Sequence, residues 1–181
     1  MLISVYIISL SSTLKSAEID GIFFKDEYSA STNKLPLRGY AILNYMLVIK
    51  AYAGALYLKS ELPSEQALTE TPRILELYYF HKISAEDFRT STAEIIRKNT
   101  TSDEFSRITR QLEIFNTFYR DVNPGDRYRA EYLPGSGLTL YLNGKSLGTI
   151  KGSEFSKAFF SIWIGKNPID KKFRDILLRR K

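Results

Sequence analysis

The stretch Tyr45-Met46-Leu47-Val48-Ile49-Lys50-Ala51-Tyr52-Ala53-Gly54-Ala55-Leu56-Tyr57-Leu58 decides the fold class. It contains one charge, three tyrosines and a run of small residues at 51, 53, 54 and 55. At a period of two, one face carries Tyr45, Leu47, Ile49, Ala51, Ala53, Ala55 and Tyr57. The other carries Met46, Val48, Lys50, Tyr52, Gly54, Leu56 and Leu58. A strand with one wet face alternates apolar and polar residues, and this one does not. It therefore reads as the central strand of a sheet covered on both sides. Gly54 fits a bulge or a close approach by another group. Ala51, Ala53 and Ala55 would let a helix pack closely.

Outward from this strand, the chain of 181 residues is long enough for one domain with a full core. The 12 Tyr and 11 Phe suit strands and an aromatic-lined interior. The net charge of +6 is concentrated at the C-terminus, in Lys171, Lys172, Arg174, Arg179, Arg180 and Lys181. A basic end complements the negative pole of a helix. No zinc-finger, RNP-like or helix-turn-helix signature accompanies it, so no nucleic-acid partner is expected. The absence of cysteine excludes disulfides, thiol catalysis and cysteine-held metals. With a single histidine, His81, neither a histidine metal site nor a Ser-His-Asp triad can be built. No metal site and no cofactor are expected.

Met1 to Leu10 (MLISVYIISL) is an apolar run with the length of a signal h-region, short of a membrane span. Residues 1–17 are expected to be a signal peptide cut after Ala17, leaving one domain over 18–181 and a periplasmic or secreted protein. The alternatives are a buried first strand and a cytoplasmic location. No later segment is long and apolar enough for a transmembrane helix, because Lys50 and the glycines interrupt the only candidate.

Along the mature chain, Ile19 to Lys25 reads as a strand, and Tyr40 to Lys59 as one long or bulged strand. Pro63-Ser64-Glu65 opens a short helix to about Thr69, and Arg73 to His81 is the next strand. Ser84 with Asp87 approaches a capping box for a helix whose stripe is Ala85, Phe88, Thr92, Ile95 and Ile96. Ser102 or Asp103 caps a second helix with the stripe Phe105, Ile108, Leu112, Phe115, Tyr119 and Val122. Strands at 126–133, 138–142 and 145–151 follow, the last two joined by Asn143-Gly144, the preferred type I′ hairpin pair. Ser153 caps a helix ending at Gly165. Asn167-Pro168-Ile169-Asp170 starts the last one, with Pro at its first position and Asp at its third. Strands, helices, strands, helices: the class is α+β with a mainly antiparallel sheet.

Several short motifs occur in an order that resembles the chalcone isomerase-like family, most closely its bacterial branch. They are Leu37-Arg38-Gly39, Lys50 to Leu58, Ser84-Ala85-Glu86-Asp87-Phe88, Pro124-Gly125-Asp126, Tyr132-Leu133-Pro134-Gly135, Asn143-Gly144, Ile162-Trp163-Ile164-Gly165 and Pro168-Ile169-Asp170. The resemblance implies an open-faced β-sandwich, a large antiparallel sheet under a helical layer, with a ligand cleft between them. The family's plant enzymes close a flavanone ring using an Arg, a Thr on the long strand, and a Tyr and an Asn seven apart on the following helix. Here the Thr position falls on Tyr52, the Arg position near Tyr40 and Arg38, the Tyr on Phe88 and the Asn on Ile95. Phe88 and Ile95 offer no hydrogen bond to an enolate oxygen.

No catalytic residue is therefore assigned. The resemblance implies a non-catalytic protein binding an apolar or amphipathic small molecule such as a fatty acid. Arg38, Lys50, Tyr52, Phe88 and Ile95 are its candidate ligand-binding residues. Arg38, Lys50 and Tyr52 are candidate partners of a carboxylate, with Lys50 alternatively reaching only solvent. The alternatives are an isomerase with altered residues and an envelope protein-interaction module without ligand.

Overall fold

The computed structural model describes residues 16–30, 33–45 and 49–179. Its strands are β1 (Ser16–Ile19), β2 (Ile22–Lys25), β3 (Glu27–Ala30), β4 (Asn33–Tyr45), β5 (Ile49–Leu58), β6 (Arg73–Tyr79), β7 (Arg127–Leu133), β8 (Gly137–Leu142) and β9 (Lys145–Ile150). Its helices are α1 (Ala85–Asn99), α2 (Ser102–Asn116), α3 (Ser153–Ile164) and α4 (Lys171–Leu178). Strands β3 to β9 form one sheet in sequence order, each pair antiparallel. β1 and β2 make a separate hairpin. The α+β class and the helix-covered antiparallel sheet are as expected from the sequence.

β5 is buried from Tyr52 to Leu58, and its two faces meet different layers. Tyr52, Leu56 and Leu58 belong to the core beneath the helices, with Leu75, Leu77, Ile108, Phe159 and Phe173. Ala53, Ala55 and Tyr57 belong to a second core with Phe24 of β2, Leu35 and Ile74. The small residues at 53 and 55 thus lie under the β1–β2 hairpin rather than under a helix. The close helical approach is at Gly54, where an added Cβ would lie 2.7 Å from the Phe173 ring of α4. Gly54 itself sits in regular register between Ala41 and Leu77, so it is not a bulge.

Several boundaries differ from the sequence reading. The expected strand Tyr40–Lys59 is two strands, since β4 ends at Tyr45 and pairs back on β5 through Tyr45↔Ile49. The middle strand of the sheet is consequently β6, with β5 beside it. The expected strand Ile19–Lys25 is interrupted at Asp20-Gly21, whose φ values of 56° and 75° turn β1 into β2. Asp-Gly is a strong signal for this two-residue turn. The segment Met1 to Leu10 lies outside the described residues. The expected cleavage after Ala17 would fall inside β1, where Ser16 and Ala17 pair with Lys25 and Phe24.

Helix starts follow capping chemistry closely. Ser84 and Asp87 form the full capping box of α1. Thr101 with Glu104, rather than Ser102 or Asp103, does the same for α2. α2 ends at Asn116, and Tyr119 and Val122 are buried beyond it. Gly152 precedes α3 without a side-chain cap, so Ser153 is the first helical residue rather than the cap. Asp170 is the N-cap of α4 rather than its third residue, its carboxylate accepting from the Phe173 amide at 2.6 Å, so Pro168 precedes the helix instead of opening it. The expected helix at 63–69 is a single 3-10 turn, Ser64–Gln66.

Candidate functional site

A cavity of about 690 Å³ lies between the sheet and helices α1 and α3, within the usual range for a small-molecule site. Its floor is Leu75 and Leu77 of β6, Ala130 of β7 and Leu140 of β8. Its roof is Phe88, Thr92 and Ile95 of α1 with Phe159, Ile162 and Trp163 of α3. The period of two on the strands and of three to four on the helices brings these apolar side chains to one space. The remaining buried wall is Leu43 and four tyrosines, Tyr52, Tyr79, Tyr119 and Tyr128.

The tyrosine hydroxyls carry the polarity of the interior. Tyr52 accepts a hydrogen bond from Trp163 Nε1 at 2.9 Å. Tyr119 shares one with Thr92 Oγ1 at 2.7 Å. Tyr128 donates to the Arg120 carbonyl at 2.8 Å and accepts from the Arg120 amide at the same distance. No hydrogen bond joins the Tyr79 hydroxyl to a described residue. Burial pushes all four phenols above their ordinary value, against the lowering effect of the Trp163, Thr92 and Arg120 bonds at the other three. At neutral pH the interior therefore holds neutral hydroxyls and no phenolate base.

Phe88 is the centre of this aromatic wall. Its ring stacks on Tyr119 at 5.3 Å and meets Tyr79 at 5.4 Å and Tyr128 at 5.3 Å edge-on. Ile95 is buried two turns further along the same face of α1, and Tyr52 packs edge-on against Tyr79 and Phe173. These three expected site residues share the cavity. The two expected cations do not. Arg38 donates to the carbonyls of Lys59 at 3.2 Å, Ser60 at 3.5 Å and also Leu62, anchoring the connection after β5. Lys50 pairs with Asp20 in the β1–β2 turn at 2.6 Å. Neither lines the cavity.

Sequence reasoning missed Tyr79, Tyr119, Tyr128 and Trp163 as site residues. In the sequence Tyr119 belongs to the stripe of the second helix and Trp163 to the motif Ile162-Trp163-Ile164-Gly165. Tyr52 pairs directly with Tyr79, and Tyr128, opposite Leu77 on the next strand, lies two residues along on the same face. The signal that would have found them is that alignment, which exists only once the register is known.

The profile of a family described as chalcone isomerase-like matches residues 16–179. The chain belongs to the chalcone isomerase-like family. No curated protein sequence matches it significantly. Among solved structures, a fatty-acid binding protein of Arabidopsis thaliana is similar, with a TM-score of 0.70 at 17% identity. The likeness covers 91% of this chain and 96% of that one, and it establishes the shared fold. In this chalcone isomerase-like chain, three of the four positions matched to the plant enzymes' polar groups, Tyr52, Phe88 and Ile95, face one cavity. At the fourth, Tyr40 packs against the core under the hairpin and Arg38 is bonded to backbone.

Proposed function

We propose that this protein is a non-catalytic member of its family that binds an apolar or amphipathic small molecule, a fatty acid being the first candidate. The observation that carries the reading is the cavity itself. It is apolar in its floor and roof, of ligand size, and supplied in its buried interior with neutral hydroxyls in place of a cation or a base. The similar fold of a protein described as fatty-acid binding supports it. Two matched positions without polar atoms, Phe88 and Ile95, weigh against ring closure, because an enolate oxygen would find no donor there. We further propose that the protein is exported from a bacterial cell with residues 1–17 removed, on the strength of the apolar run Met1 to Leu10.

The test is organic extraction of the gently purified protein followed by mass spectrometry. A fatty acid recovered in near-stoichiometric amount is the expected result, and Leu77→Trp, which fills the floor, should abolish it. Empty protein from several preparations would count against binding. Incubation with a chalcone should give no flavanone above the buffer rate, and turnover would restore the isomerase reading. Fractionation and N-terminal sequencing of the expressed precursor should find the mature chain beginning near Glu18.

A further inference from the structure

The residues around the cavity sort sharply by depth. Every charged residue lining it (Lys82, Asp87 and Glu94) is exposed at the rim, with His81, Ser91 and Ile169. Every buried lining residue is apolar or carries a neutral hydroxyl. Along β6 the lining runs inward from Tyr79 to Leu75, about 13 Å at roughly 3.3 Å per residue, with His81 at the rim beyond the strand end.

The rim charges also differ in how far they are already engaged. Asp87 accepts from the Ser84 hydroxyl at 2.7 Å and the Ser84 amide at 3.2 Å, capping α1. Glu94 pairs with Lys98 at 2.6 Å. Lys82 has no ion pair or hydrogen bond among the described residues. An anion carried to the floor would leave water and find no cation there, only neutral hydroxyls: that of Tyr128 already donates to Arg120, and those of Tyr52 and Tyr79 carry no charge to offset the anion's. Burial of a carboxylate without a cation is strongly unfavourable. An anion left at the rim keeps its hydration and gains Lys82.

We propose that the cavity takes acyl compounds tail first, with the anionic headgroup left at the open rim against Lys82, so that acyl lipids with large heads such as lysophospholipids fit as well as free fatty acids. This rests on the binding function proposed above and adds the direction of entry and the wider ligand class. The methyl end lies against Leu75, Ala130 and Leu140. The space beyond Lys82 sets no limit on headgroup size.

The experiment is calorimetric titration of the delipidated full chain with four probes: oleate, oleyl alcohol, an oleoyl lysophosphatidylglycerol, and a fatty acid bearing a pyrene at its methyl end. The expected result is that oleate and the lysolipid bind with affinities within about fivefold of each other, while the pyrene-ended acid binds at least about tenfold more weakly. Lys82→Glu should weaken oleate by about tenfold and leave oleyl alcohol unchanged. Lysolipid excluded while oleate binds would overturn tail-first entry, as would oleate affinity indifferent to Lys82→Glu. Because the lysolipid comparison uses the unmutated protein, a poorly folding variant does not decide it. If neither oleate nor oleyl alcohol binds, the function proposed above fails, and the orientation fails with it. If both bind but the head-first order is found, only the orientation fails.

Discussion

Gly39 shows how one residue can set the distance between two elements. A methyl group there would overlap the carbonyl oxygens of Ile176 and Leu177, at the end of α4. Those atoms are backbone, so they cannot turn aside as a side chain could. Gly39→Ala should therefore lower the unfolding free energy by about 2 kcal/mol, read as a lower urea midpoint at unchanged slope. A midpoint equal to that of the unmutated protein would mean that α4 slides at no cost. At this scale the sequence was partly legible. Gly54 was expected to mark a bulge or a close approach, and the close approach of Phe173 is what occurs. Gly39 gave no comparable sign, because its neighbour lies at the far end of the chain. Arg38 was misread for a related reason: backbone carbonyls hold it, and carbonyls carry no residue identity that a sequence can display.

The connection between β5 and β6 illustrates the same chemistry across an element. Residues 59–72 wrap their carbonyls around two guanidinium groups. Arg38 takes those of Lys59, Ser60 and Leu62. Arg73 takes those of Ala67 at 3.0 Å, Thr69 at 2.6 Å and Thr71 at 3.5 Å, and also donates to the Ser156 hydroxyl at 3.2 Å. Arg73 is only 1% exposed and lies between the rings of Tyr132 and Phe160. Arg73→Met keeps an unbranched stem in the buried channel but leaves these acceptors without donors. It should cost about 3 kcal/mol of stability and speed amide exchange across 67–71. Arg38→Met separates the two roles considered for that residue. Its expected outcome is faster exchange near 59–62 with oleate affinity unchanged, whereas a loss of affinity in a stable protein would return Arg38 to the site. Helix starts were legible here, at Ser84 above all, since a capping box is a local pattern of three intervals. The connection was not, since its organisation depends on contacts from β4 and α3.

For the whole molecule, two cores flank one sheet, and tyrosines are buried in both. Burial raises the hydroxyls of Tyr28 and Tyr57 under the hairpin and of Tyr52, Tyr79 and Tyr119 in the cavity wall. A phenol in the unfolded chain titrates near 10. Below that pH both states are protonated and the full stability is present. Above it the unfolded chain loses protons first, so folding free energy falls as pH climbs. Arg73 works the other way, since burial lowers its guanidinium to about 10. It is one group against seven, since Tyr128 and Tyr132 are raised by burial as well. The urea midpoint should thus stay level from about pH 7 to 9 and drop above about pH 10. Tyrosinate absorbance should appear together with loss of helical circular dichroism, and a gradual rise in a still folded protein would show that the rings are solvent-accessible. The layer architecture was legible in strand and helix order and in the Asn143-Gly144 hairpin. The cavity was not, because one residue of register decides which side of a strand faces the helices.

Trp163 is the sole tryptophan of the chain, and its indole sits in the cavity wall with its N–H on the Tyr52 hydroxyl. The emission of the protein therefore comes from the one place where an occupant would matter. Filling the space with an acyl chain would displace any water near the indole, so delipidated protein titrated with oleate should shift its emission to the blue. Tyr52→Phe should remove the hydrogen bond and move the starting colour without preventing the shift. No change in colour at saturating oleate would place the lipid away from α3. The molecule carries its own optical gauge of whether it is full or empty.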